Sequence, residues 1–161
     1  MEEDGDFHLS NDPKVLRQAL NQLKKNPGDS SLQFKVAILM ENLGKKHLTV
    51  THHAASIALG PNISHRNLIS LRTIGRILLE FGDIEGSERF LSQALTIQSF
   101  DPVSNLYYGD VKKLSGEIET AIIHWNRVLE FYRSQGDDLQ KIYFAIQALE
   151  NINSVSSGLH E

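Results

Sequence analysis

Apolar residues recur along this chain at intervals of three and four, which predicts helices almost throughout. Val15, Leu16, Ala19, Leu20 and Leu23 form the first stripe. It starts after Asp12–Pro13, where an aspartate can cap free backbone N–H groups and a proline forfeits no hydrogen bond. It ends at Asn26-Pro27-Gly28. Leu32, Val36, Leu39, Met40 and Leu43 mark a second helix over 30–43, closed by Gly44, and a third is expected over 47–59, ended by Gly60–Pro61. Four more are expected over 66–81, 84–98, 102–115 and 118–133. After the polar break Ser134-Gln135-Gly136-Asp137 comes an eighth over 138–153, with Leu139, Ile142, Ile146 and Leu149 as its buried stripe and Ala145 and Ala148 beside it. Residues 1–11 are acidic with little to bury and read as a disordered tail, 12–153 as one helical domain, and 154–161 as a frayed end.

The helices repeat. Gly75 matches Gly109, Gly82 matches Gly116, Asp83 matches Glu117, Ser87 matches Ala121, Leu91 matches Trp125 and Ala94 matches Val128, each pair 34 residues apart. Pro27 and Pro61 share that spacing, while Gly44 and Gly82 are 38 apart, so a short insertion sits in the connection over 60–67. Insertions in loops cost little, because closure entropy grows slowly with length. A fixed period of this size marks a stack of helical units, each burying its apolar face on the next. Such stacks hold other molecules, so the period predicts a binding protein.

These residues resemble the tetratricopeptide repeat signature. Gly75, Leu78, Gly82–Asp83, Ser87, Leu91 and Ala94 match it, as do Gly109, Gly116–Glu117, Ala121, Trp125 and Val128. The resemblance is strong over 68–131, fair over 29–62, and covers about 13–153 in all. It implies an all-α, right-handed superhelix of antiparallel helix pairs, with about three repeats and flanking N- and C-terminal helices. It also implies a protein–protein interaction scaffold that is not an enzyme, or the non-catalytic part of a larger glycosyl- or methyltransferase. The stretch AIIHWNRVLEFYRSQGDDLQKIYFAIQAL also resembles the helical-repeat part of cytochrome c biogenesis proteins.

In this family the first helix of each repeat lines a concave groove. Carried over, the groove positions are Phe34, Lys35, Ile38 and Glu41, then Ile69, Arg72, Thr73, Arg76 and Leu79, then Leu106, Tyr107, Asp110 and Lys113, with Gln140, Lys141 and Phe144 on the end helix. Arg72 and Arg76 are one helical turn apart and can converge on one carboxylate. The expected partner is therefore a protein or peptide with an acidic group near them and apolar side chains near Phe34, Tyr107 and Phe144. The opposing reading is a solvated Arg pair balanced by Glu80 and Asp110. One family variant uses a lysine–asparagine clamp. Here the clamp positions hold Phe34, Ile38, Thr73 and Tyr107, which argues against that specificity. The ends of the stack, including Leu16, Leu20 and the last helix, offer a route to a homo-oligomer.

Composition changes this picture little. A formal net charge of −4 argues against nucleic acid, and no apolar run is long enough for membrane insertion. There are no cysteines, so no disulfide or thiolate metal site. Met1 is followed by EEDGD, without the basic start and apolar run of a signal peptide, which favours the cytoplasm. His52 and His53 are adjacent, about 100° apart on a helix, and cannot easily share an ion. His53 instead falls where Leu91 and Trp125 fill the space between helices, while the role of His47 and His52 stays open. Trp125 reads as core by the same register. No HExxH, Walker, GxGxxG or GxSxG motif occurs, so no catalytic, cofactor or metal site is expected. The doublets Lys24–Lys25, Lys45–Lys46 and Lys112–Lys113 read as cations favoured by the dipoles at helix ends.

Overall fold

The computed structural model describes residues 11–60 and 64–158. What is expected of residues 1–10, 61–63 and 159–161 lies outside these. Among the described residues there are eight α-helices, one 3₁₀ turn and no strand. The helices are α1 Pro13–Lys25, α2 Ser30–Asn42, α3 Lys46–Leu59, α4 Ser64–Glu80, α5 Ile84–Ile97, α6 Pro102–Leu114, α7 Ile118–Ser134 and α8 Tyr143–Gly158. The first seven match the sequence reading to within two residues at each end. The eighth does not. Asp138 caps a 3₁₀ turn at Leu139–Lys141, its Oδ1 accepting from Gln140 N at 3.1 Å, and Ile142 is extended before α8 begins. The helix then continues to Gly158, beyond the end expected at Asn153.

Local chemistry sets the helix ends. Asp12, Asp29, Asp83 and Asp101 each cap a helix, with carboxylate-to-N–H distances of 2.8, 3.1, 2.9 and 2.8 Å. Each satisfies a donor that the first helical turn leaves unpaired. Gly44, Gly82, Gly116 and Gly136 have φ between 71° and 82°, the left-handed conformation that ends a helix with least steric cost. At each, the N–H of the next residue reaches back to a carbonyl of the preceding helix, as Lys45 does to Met40 and Glu117 to Lys112. One turn design thus recurs in register.

The described chain divides into two compact units, one ending at Ile77 and the other starting at Leu78, within α4. In the first unit, α1 and α2 bury Leu16, Ala19, Leu23, Val36, Leu39 and Met40. Leu16 is therefore inside the protein, which removes it from a contact between chains. Ser56 on α3 donates to the Ser30 carbonyl at 2.9 Å, fastening α3 to the start of α2. In the second unit, Leu106, Ala121, Trp125, Val128, Leu129, Ala145 and Ala148 form the core. The two alanines are the centre of the buried face of α8, not its margin. Leu139 and Ile142 reach the same core from outside that helix, and Leu149, Ile152 and Val155 flank it.

Candidate partner-binding surface

In the first unit the expected groove residues separate into two groups. Ile38 and Thr73 are 4% and 8% exposed and belong to the interior. Periodicity places them on the right side of their helices, but the helices turn that side inward. Phe34, Ile69, Arg72 and Arg76 remain partly exposed. Phe34 meets the edge of the His53 ring, 5.6 Å between centroids. Arg76 Nη2 donates to Glu41 Oε1 at 2.5 Å, so two expected groove residues pair with each other. Glu41 is one carboxylate that balances Arg76.

His53 behaves as its register suggests. It is fully buried, and its Nδ1 lies 2.9 Å from Ser70 Oγ. Burial, then the nearby charges of His52 and Arg76, lowers its pKa to about 3, so it is neutral at ordinary pH. His52 Nδ1 donates to Gln33 Oε1 at 2.8 Å, tying α3 to α2, and burial lowers its pKa also. No group of three or more metal-ligating side chains occurs among the described residues.

In the second unit Tyr107 and Phe144 are partly exposed and rest on the core of α6, α7 and α8. Asp110 does other work. Its Oδ1 accepts from Trp125 Nε1 at 3.0 Å and from Asn151 Nδ2 at 2.8 Å, so one carboxylate oxygen holds three helices together. Nothing in the sequence marks this, because Asn151 is 41 residues away. Burial raises the Asp110 pKa from 3.8 to about 6, against the opposing hydrogen bond from Trp125 and the charge of Lys113. The folded protein therefore holds this proton more tightly than the unfolded chain, and stability contributed by the neutral acid is lost as pH rises from about 4 through about 6. Asp110→Asn keeps the accepting oxygen without the charge. It should gain about 1–3 kcal/mol relative to wild type between pH 4 and pH 7. Urea titrations at the two pH values check this; an unchanged difference would refute it.

Lys112 does more than complement a helix dipole. It is 8% exposed, its Nζ lying 2.5 Å from Glu88 Oε1 and 3.0 Å from Glu117 Oε1. The hydrogen bond it donates to Glu88 holds its pKa above the usual lysine range. Beside it runs a buried network: Ser104 donates to Asp101, Asn105 Nδ2 donates to the Ser99 and Asp101 carbonyls, and His124 Nδ1 donates to Asn105 Oδ1 at 2.8 Å. These groups lock α5, α6 and α7.

No family model matches the chain, and no curated protein matches it in sequence. Solved structures do. A crystal structure of MamA aligns with TM-score 0.64 over 89% of this chain and 90% of that one, at 13% identity. A second MamA structure gives 0.65 over 89% and 84%, also at 13%. A MamA RS-1 ArsTM double mutant gives 0.64 over 91% and 85%, at 15%. The chain shares their helical-repeat fold. At this identity the likeness speaks for the fold alone.

Proposed function

We propose that this chain is a non-catalytic protein-interaction scaffold of the tetratricopeptide type. Partner segments rest on the first helices of the repeats. The observation that carries this reading is the fate of the large side chains on those helices. Phe34, Arg72 and Tyr107, on α2, α4 and α6, each keep part of their surface in water, whereas Leu91 and Trp125 on the paired helices are completely buried. Aromatic and Arg side chains are the types that most often dominate protein interfaces. The first unit contributes Phe34, Ile69 and Arg72, with Arg76 held by Glu41 beside them, and suits a segment with a carboxylate next to apolar side chains. The second contributes Tyr107 and Phe144 and suits apolar side chains alone. Ile38 and Thr73 support these residues from inside, and Asp110 is a structural clip.

The test is capture of partners from native lysate by wild type and by Arg72→Glu/Tyr107→Ala. A protein should be retained by wild type and lost with the double variant, while the thermal unfolding of the two baits stays alike. Equal capture of the same protein by both baits would sink the reading.

A further inference from the structure

The net charge of −4 conceals a division. Described residues 11–77 hold ten Lys and Arg against three acids, Asp12, Asp29 and Glu41. Residues 78–158 hold six Lys and Arg against twelve acids. With the four acids of residues 1–10 and Glu161 added, the first unit still has three more cations than acids and the second seven more acids than cations.

The basic charge is organised. Helix α1 contains no acid, and Lys14, Arg17, Lys24 and Lys25 fall within an arc of about 100° at 100° per residue. All four are exposed, and none forms an ion pair among the described residues. They line about 16 Å of helix at 1.5 Å per residue. The opposite face of α1, with Leu16, Ala19 and Leu23, is buried in the core, so this helix has no apolar face to insert into a membrane.

The acidic charge is organised as well. Asp83 and Glu85 open α5, and Glu117 and Glu119 open α7; all four are exposed. Lys112 bonds to both Glu88 and Glu117, which brings the two helix starts to one edge of the second unit. In register, the corresponding start in the first unit reads Lys45 and His47 where the second unit has Asp83 and Glu85, then Glu117 and Glu119. The same repeat position therefore carries opposite charge in the two units.

From this complementarity we propose that the chain binds a second copy of itself, the cationic face of α1 in one copy meeting the acidic starts of α5 and α7 in the other. The proposal goes beyond the partner-binding reading and does not depend on it. Opposite potentials steer the encounter and set its register, and the contact is salt-sensitive.

Sedimentation velocity on the full chain tests it, at low salt and at about 1 M salt, where the Debye length is about 3 Å. Wild type should associate at low salt and dissociate at high salt. Arg17→Glu/Lys24→Glu and Glu85→Lys/Glu119→Lys each reverse one face at exposed positions and should weaken self-association by about tenfold or more. Mixed together, the two variants restore one native contact, between the intact basic face of the second and the intact acidic edge of the first, and should form a heterodimer. A monomeric wild type at low salt would overturn the proposal, whatever else neutralises α1. So would association that persists unchanged in 1 M salt, or two variants that remain monomeric when mixed.

Discussion

Gly109→Ala should destabilise the protein by about 1–3 kcal/mol, although alanine is the better helix former by about 1 kcal/mol. A Cβ on Gly109 would lie 2.6 Å from Trp125 Cδ1 and 3.0 Å from Cε2, well inside contact distance. The indole cannot retreat. It is fully buried, and its Nε1 is held by Asp110 and lies 3.3 Å from the Leu106 carbonyl. The glycine is there so that α6 can approach α7 across the face of the tryptophan. Trp125→Leu, which places the residue found in register at Leu91, should itself cost about 2–4 kcal/mol through lost packing and the lost N–H donor. The test lies in the combination. In the leucine background the clash is relieved, and Gly109→Ala should become neutral or stabilising by up to about 1 kcal/mol. Urea unfolding of the four proteins measures the coupling. Additive effects would show that the glycine does not serve the tryptophan.

That pairing also shows what sequence could and could not provide. Gly109 and Trp125 were visible as repeat positions because both recur at the 34-residue period, and the glycine turns were visible because only a few residue types suit positive φ. The fold was therefore readable from helical periodicity plus register. The start of the last helix was not, since Leu139 and Ile142 satisfy a helical stripe as well as they satisfy a capped 3₁₀ turn packed on the same core. Exposure at the expected groove positions was not readable. Register names equivalent positions but not the rotation of each helix about its axis, and a small rotation puts Ile38 and Thr73 inside while leaving Phe34 and Arg72 partly in water. The bond from Asn151 to Asp110 had no signal, because no repeat or local pattern relates residues so far apart. The charge division was present in the sequence all along, hidden by summing over the whole chain.

Acid should unfold this protein well above the usual carboxylate range, and two buried histidines should cause most of it. Burial lowers His53 from 6.5 to about 3. It lowers His124 from 6.5 to about 4, aided by the charges of Arg127 and Lys112. Below pH 6.5 the unfolded chain takes up protons at both sites while the folded chain refuses them. Their stabilisation is complete above 6.5 and is lost as pH falls through about 4 for His124 and about 3 for His53, each proton contributing a slope of up to about 1.4 kcal/mol per pH unit. Asp110 acts with the opposite sign between about 4 and about 6 and offsets part of this loss. His53→Leu/Ser70→Ala replaces the buried ring with the residue in register at Leu91 and removes the hydroxyl that would be left unpaired. At pH 7 it should be close to wild type in stability, and between about pH 6 and pH 4, where Asp110 offsets the one remaining histidine, its stability should change little while wild type loses up to about 1.4 kcal/mol per pH unit. Thermal melts at intervals across that window give the slope directly. An identical slope in wild type and variant would mean that His53 takes up its proton without unfolding the protein, and that the acid sensitivity belongs to His124 and its bond to Asn105.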